Sequence, residues 1–264
     1  IGTLIPILKD AGEMKSRLGT YLLAAGAVGE FGPILLITLI LSANNPLHEA
    51  AVLVAFVVLA VITGVLAVRT SWRGWPILER TIETSGQVAV RLAVVLVFGL
   101  VALATQLGLD LLLGGFVAGL IVRATLHGRE VSIFDSKVTA VGYGLLIPFF
   151  FVTSGMEFDL DSLLASGEAL AKLPLFAALF LIVRGVPALL LYRRVLDTRQ
   201  RLSLAFFSAT QLPLVVAITT LAVEGGHMRA STAAALVGAA IVSALAYPLI
   251  ALRLRPATPE TAAA

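Results

Sequence analysis

The feature that most constrains this chain is a succession of eight apolar runs, each about as long as a lipid bilayer is thick. The runs cover residues 18–42, 48–68, 88–108, 110–124, 137–157, 172–192, 202–223 and 230–252. A membrane-spanning helix needs about 20 predominantly apolar residues. Only 13% of the 264 residues are charged, about half the share found in a soluble domain. The sequence therefore predicts an all-α polytopic membrane protein.

The loops between these runs alternate in charge. Lys and Arg gather before the first, third, fifth and seventh runs and after the eighth, and the loops between those are neutral or acidic. Because cytoplasmic loops carry the excess of Lys and Arg, we expect a cytoplasmic C-terminus with a short tail at 256–264. The net charge of +3 then reflects loop topology, which argues against a nucleic-acid partner. The expected location is the lipid bilayer of the cell inner (plasma) membrane.

Two charged residues lie where a membrane tolerates charge poorly. Glu30 is near the middle of the run Leu18–Leu41, and Arg184 is near the middle of Leu173–Leu191. A charge at the bilayer centre costs about 3 kcal/mol or more, so such residues usually face a cavity or a partner and mark an ion or proton pathway. Their opposite signs allow each to be the partner of the other. The alternative is a protonated Glu30 that only hydrogen-bonds between helices.

The sequence around Glu30 predicts an oxygen-rich site. Pro33 lacks the amide that would bond the carbonyl one turn back, at Gly29. A carboxylate beside such a carbonyl is suited to Na⁺, K⁺ or H⁺. We expect Glu30 to bind a monovalent cation or a proton. We expect neither another metal nor a cofactor, since the chain has no cysteine for a thiolate site.

The seventh run is interrupted halfway by the stretch Ser208–Pro213. Pro213 removes a backbone hydrogen bond, and Thr210 and Gln211 carry groups that can satisfy the backbone atoms it frees. Transporters use such broken helices to aim helix ends and carbonyls at ions, whereas an ordinary proline kink is equally compatible with these residues. Pro6, in the opening run, is the candidate for a matching break.

Three stretches together resemble the sodium/hydrogen exchanger superfamily, in its bacterial monovalent cation:proton antiporter branch that includes potassium efflux antiporters. They are Ala24–Pro33, Ile147–Met156 and Ser208–Pro213. The resemblance implies an inverted-repeat fold with two crossed, discontinuous helices, of which Ile1–Leu8 is half of the first. It also implies a homodimer, and further N-terminal spans that are missing here. The chain would then hold eight full spans and the end of a ninth.

The resemblance also gives the two charges a role. The family places a polar residue and then an acidic one in the helix after the first crossed helix. Here the pair is Gly29-Glu30, so the carboxylate is kept and the polar neighbour is lost. The family carries Lys or Arg at the place of Arg184. Because Arg does not release its proton, Glu30 alone can exchange H⁺ for a cation, which predicts electroneutral exchange by alternating access.

The expected function is secondary active antiport of Na⁺ or K⁺ against H⁺. The residues expected to serve it are Glu30, Gly29, Thr210 and Gln211 for ion binding, Arg184 for charge balance, and Pro6, Pro33 and Pro213 as helix breaks. No nucleophile–base pair or phosphate loop is recognisable, so we do not expect an enzyme. Two alternatives stay open. One is a channel-like K⁺ efflux protein of the same fold. The other is a truncated membrane protein without transport, favoured by the start at Ile1 and the departure at Gly29.

Overall fold

The computed structural model describes residues 2–14, 16–40, 46–72, 88–109, 111–126, 128–164 and 167–255. The regular structure in these ranges is entirely helical. In chain order the helices are α1 (Leu4–Asp10), α2 (Arg17–Ile40), α3 (Pro46–Trp72), α4 (Val88–Gln106), α5 (Leu111–Thr125), α6 (Gly128–Val141), α7 (Ile147–Met156), α8 (Leu160–Leu164), α9 (Gly167–Phe180), α10 (Val186–Leu191), α11 (Thr198–Ala209), α12 (Pro213–Glu224) and α13 (Ala230–Leu254). The predicted tail at 256–264 lies outside the described residues.

The predicted apolar runs coincide with these helices, singly or as consecutive pairs. In the part of the chain that the structure describes, four helical stretches are long and apolar enough to cross a membrane: Ile133–Met156, Gly167–Leu191, Thr198–Glu224 and Ala230–Leu254. Large apolar side chains such as Phe149, Leu190 and Leu245 are exposed along them. Such surface is suited to lipid and not to water. The protein is a multi-pass membrane protein, and the count of eight full spans stays a prediction.

The chain forms two compact units, Ile1–Glu30 with Phe150–Ala264, and Phe31–Phe149. In the first unit, α13 packs against α9, α11 and α12. The contacts are close because α13 presents small buried residues, among them Ala235, Ala239 and Ala240. Small side chains let helix backbones approach one another in a membrane.

A second core in the first unit joins the opening helices to the later ones. Leu8 of α1, Leu22 of α2, and Leu204 and Phe207 of α11 belong to one cluster of buried apolar residues, together with Ala188 of α10. Four different helices therefore meet at this point in the unit, and their polar residues are brought close together.

In the second unit, α5 packs against α4 and α3. Gly114 makes the first contact possible, since a Cβ atom there would lie 2.6 Å from the carbonyl oxygen of Leu100. Phe56 of α3 packs into a cluster with Ala104, Leu109 and Leu113. Small residues at the interface again bring the helix backbones together.

The seventh predicted run is a broken helix and not a kinked one. α11 ends at Ala209 and α12 begins at Pro213. Between them Thr210 is extended, with ψ at 111°, and Leu212 also leaves the helical conformation, with φ −122° and ψ −58°. Proline at the first position of α12 needs no amide hydrogen there, which is why the second helix can restart at this residue.

Two π-helical turns, Gly142–Leu146 and Leu181–Gly185, precede α7 and α10. Each is followed at the same spacing by a proline, Pro148 and Pro187. A proline inside a helix removes one hydrogen bond and clashes with the preceding turn, so a widened turn there has a local cause. π-Helical turns occur frequently at functional sites, and the second one contains Arg184.

Candidate functional site

The first unit encloses a cavity of about 440 Å³ that collects most of the predicted site residues. Glu30, Gly29, Arg184, Thr210 and Gln211 all line it. They come from α2, from the π-helical turn Leu181–Gly185 and from the break between α11 and α12. Polar groups that lie far apart in the sequence are thus gathered in a largely apolar wall, which is the usual character of a ligand site.

Arg184 is anchored to the backbone of α2. Its Nη1 donates a hydrogen bond of 2.9 Å to the carbonyl oxygen of Gly29, and its charge interacts with that of Glu30. The sequence predicted that Pro33 would leave this carbonyl without a helix donor. The structure supplies the donor from Arg184 instead, so the carbonyl is partly satisfied and the guanidinium is held at Gly29, the residue before Glu30.

Gly29 is the position where a side chain has no room. A Cβ atom there would collide with the guanidinium of Arg184, whose Cζ would lie only 2.6 Å away. The guanidinium therefore occupies the space that a polar side chain at position 29 would need. The chain has glycine where the polar residue of the polar–acidic pair was expected, and the guanidinium of Arg184 lies where that side chain would be.

The break between α11 and α12 is stabilised by its own side chains, as the sequence predicted. Thr210 Oγ1 donates to the carbonyl of Phe206 at 3.2 Å, and Gln211 Nε2 donates to the carbonyl of Ser208 at 3.0 Å. Both carbonyls would otherwise lack the helical amide four residues on. The backbone amide of Gln211 donates to Ser243 Oγ of α13 at 3.2 Å, which ties the break to its neighbour.

The three predicted helix-break prolines differ in position. Pro213 opens α12 directly after the break. Pro33 lies inside α2, in the second unit. Pro6 falls in the first turn of α1, where a missing amide removes no helical hydrogen bond. None of the three lines the cavity of about 440 Å³, and a matching break at Pro6 stays a prediction.

A second cavity of about 340 Å³ in the same unit has an acidic rim. Glu157, Asp159 and Glu224 line it, together with Thr219 and Thr220 of α12. The side chain and backbone amide of Ser162 donate to Asp159 and hold the pKa of that carboxyl below its usual value. Ionised carboxylates at this rim attract cations. Among the described residues, no group of three or more His, Cys, Asp or Glu is placed to hold a metal ion.

Comparison with known proteins decides the family. A model of the transmembrane sodium/hydrogen exchanger family matches residues 1–252. The chain belongs to the sodium/hydrogen exchanger family. The resemblance found in the sequence is thereby confirmed, and it now rests on a match along nearly the whole chain.

Three of the curated relatives that the chain is similar to are bacterial. The chain is 25% identical over 254 residues to YjbQ of Bacillus subtilis, a candidate Na⁺/H⁺ antiporter, covering 94% of this chain and 40% of that protein. It is 28% identical over 162 residues to the Na⁺/H⁺-K⁺ antiporter GerN of Bacillus cereus, covering 60% and 40%. It is 28% identical over 189 residues to the Na⁺/H⁺ antiporter NhaS5 of Synechocystis, covering 70% and 26%. The chain thus spans at most 40% of the length of these relatives.

The site also contains a polar side chain of the interrupted stretch that the sequence did not predict as a cation ligand. Ser208 lines the cavity of about 440 Å³ beside Gln211, and it lies in the interrupted stretch that was singled out, yet it was not among the predicted ion-binding residues. Its position at the end of α11, one residue before the break, was the available indication.

Proposed function

We propose that this chain carries the ion site of a secondary active antiporter that exchanges Na⁺ or K⁺ for H⁺. Glu30 is the exchange group, and the cavity beside it is the place where the cation binds. The observation that supports this most is the gathering of Glu30, Arg184 and the helix break around one cavity. A broken helix beside a mid-membrane carboxylate is the arrangement that transporters use for cation sites.

The two charges favour electroneutral exchange. Arg184 keeps its proton at any working pH and offsets the ionised Glu30, so the only group at the site that changes charge is the carboxylate. One carboxylate carries either one proton or one monovalent cation. Each transport cycle therefore moves equal charge in both directions.

Alternating access fits the arrangement of the two cavities. The cavity with Glu30 extends to Tyr192, next to the basic loop expected in the cytoplasm. The acid-rimmed cavity includes Glu157, just after α7, and Glu224, at the end of α12, on the side expected outside. Gln211 lines the first and Val216 the second, so the helix break lies between them. A modest shift of this region would expose the site to one side or the other. We place the protein in the plasma membrane, as a homodimer with a cytoplasmic C-terminus.

The names of the relatives do not decide whether the transported cation is Na⁺ or K⁺. The names of the three relatives described above include Na⁺/H⁺ exchange, and one also includes K⁺. Carboxylate, hydroxyl and carbonyl oxygens suit either ion. We therefore propose both Na⁺ and K⁺ as transported ions, to be compared in the same transport assay.

The test is cation-driven proton movement in liposomes that contain the protein and a pH-sensitive dye. Addition of Na⁺ or K⁺ should move protons in the wild type, and Glu30→Gln should abolish that movement. Glu30→Asp should keep part of it, because the charge is preserved. Glu168→Gln is the matched control, since this carboxylate is exposed, pairs with Lys172 at 2.7 Å and lies outside the cavity.

Three outcomes would contradict the proposal. Proton movement that survives Glu30→Gln removes Glu30 from its role. Cation movement without any coupled proton movement indicates the channel-like alternative. Absence of both movements in a correctly inserted wild type indicates a membrane protein without transport.

A further inference from the structure

Ser208 carries a buried hydroxyl without a hydrogen bond. Only two buried side-chain polar atoms lack a partner within the described ranges, Ser208 Oγ and Arg201 Nε. Leaving a buried donor or acceptor unsatisfied costs about 1–3 kcal/mol. Such a group in a native structure therefore calls for an explanation, and a functional role of the hydroxyl is one of them.

Other hydroxyls in this part of the unit have partners. Thr210 Oγ1 bonds to the carbonyl of Phe206, Thr219 Oγ1 to that of Val215, and Ser243 Oγ to that of Ala240. Each uses a carbonyl three or four residues earlier in its own chain, which is the ordinary solution for Ser and Thr in helices. Ser208 forms no such hydrogen bond, although this residue also lies in a helix. No hydrogen bond holds its side-chain rotamer, so the hydroxyl can turn toward an incoming ligand.

The neighbouring amide is fixed in a complementary way. Gln211 Nε2 donates to the backbone carbonyl of Ser208 at 3.0 Å, and no hydrogen bond to Gln211 Oε1 is formed by the residues that the structure describes. Ser208 and Gln211 both line the cavity that contains Glu30. Two neutral oxygens at or next to the helix break are thus without donors, and the cavity that their residues line is also lined by Glu30 and Arg184.

We propose that the Ser208 hydroxyl is a ligand of the monovalent cation, acting with Gln211 Oε1 when the cation replaces the proton of Glu30. This rests on the proposed antiport function. Because the guanidinium of Arg184 bonds the carbonyl of Gly29, a fixed positive charge lies at the residue next to Glu30 and repels an incoming cation. Neutral oxygens then have to replace part of the hydration shell of the ion, as they do in other ion pathways.

The role predicts opposite effects of Ser208→Ala on stability and on binding. Without cation, the variant should melt at or above the wild-type temperature, because the substitution removes an unsatisfied buried hydroxyl. The apparent KM for the cation should rise about tenfold, as expected for one lost oxygen contact to a charge. The increase should be larger for Na⁺ than for K⁺, since the shorter contact is the stronger one. The thermal stabilisation by added Na⁺ should shrink, and kcat should change little.

Ser203→Ala is the matched control. Ser203 lies in the same helix, is fully buried and donates to the carbonyl of Ala251 at 2.8 Å, and it does not line the cavity. Its replacement should lower the melting temperature without cation and leave KM unchanged. The two serines therefore separate a structural hydroxyl from a binding one in the same helix.

The measurements are thermal unfolding with and without NaCl or KCl and cation-driven proton movement, on the protein reconstituted in liposomes or held in detergent. A wild-type KM and a wild-type Na⁺ stabilisation in Ser208→Ala overturn the proposal. So does a fall in stability like that of Ser203→Ala, which would assign the hydroxyl to the fold. If the wild type shows neither cation-driven proton movement nor cation stabilisation, the antiport function fails and this role fails with it. Failure of Ser208→Ala alone leaves antiport standing.

Discussion

At the scale of single residues, position 29 has the least freedom in the site. The guanidinium of Arg184 needs both the carbonyl of Gly29 as an acceptor and the empty space where a side chain would be. The glycine and the arginine therefore depend on each other. A larger residue at position 29, or a different side chain at position 184, therefore changes where the positive charge lies relative to Glu30.

Gly29→Ala should destabilise the protein by about 1–3 kcal/mol, because the new methyl group displaces the guanidinium of Arg184 from its hydrogen bond to the carbonyl of residue 29. The new methyl collides with the guanidinium, so Arg184 must move away from Glu30. Thermal unfolding would measure the loss, and cation-driven proton movement should weaken in parallel.

Gly32→Ala is the control for this substitution. It lies in the same helix, and a Cβ atom there meets nothing within 4 Å. Alanine should leave stability unchanged or raise it slightly, because alanine favours the helix over glycine. Equal effects of the two substitutions would mean that the space beside Arg184 plays no part.

At the scale of helices, the break between α11 and α12 depends on α13. The amide of Gln211 has no helical acceptor and bonds instead to Ser243 Oγ, which is itself fully buried. A break in a membrane helix is tolerated only where neighbouring groups satisfy the freed backbone. The position of the break is therefore held by a residue more than thirty positions further along the chain.

Ser243→Ala should lower stability by about 1–3 kcal/mol, since it leaves the buried amide of Gln211 without an acceptor. It should also weaken cation binding, because the loosened segment carries Gln211. Thermal unfolding and the cation KM would be compared with those of Thr20→Ala. Thr20 is exposed, donates to the carbonyl of Ser16 at 2.9 Å and lines neither cavity, so its loss should change neither quantity. A Ser243→Ala variant with wild-type stability and wild-type KM would show that the break does not depend on Ser243.

At the scale of the whole molecule, one ion pair joins the early and late segments of the first unit. Arg255 Nη1 donates to the carbonyl of Ala11 at 2.7 Å and lies 3.4 Å from Glu13 Oε1. Glu13 is 3% exposed, so this carboxylate has little contact with water. The end of α13 is thereby attached to the turn between α1 and α2.

Arg255→Ala should destabilise the protein by about 3 kcal/mol, because removing one partner leaves a buried charge without compensation. The double variant with Glu13→Gln should recover part of that loss. Arg253→Ala, which removes an exposed arginine two residues earlier, should have almost no effect. Thermal unfolding of the wild type, Arg255→Ala, Glu13→Gln and the double variant gives the coupling energy. Equal losses in Arg253→Ala and Arg255→Ala would contradict the assignment.

The sequence predicted the features that depend on local chemistry. The apolar runs became helices, the stretch Ser208–Pro213 contains a break at residues 210–212, and Glu30 and Arg184 came to line one cavity. The partners chosen by individual polar atoms were not predictable. That Arg184 bonds the Gly29 carbonyl, and that Ser208 Oγ is left without a bond, depends on rotamers and on the distance between helices. The spacing of residues along the sequence predicts neither side-chain rotamers nor distances between helices.

The π-helical turn Leu181–Gly185 has a consequence for how one membrane span serves two neighbours. An α-helix turns about 100° per residue, so one extra residue in a turn rotates everything after it by that angle. Before the turn, α9 packs against α13, and from the turn onward the same span packs against α11. The wide turn thus rotates the second half of the span about its axis relative to the first half. It allows Arg184 to project from a face that a regular helix would have given to a different neighbour.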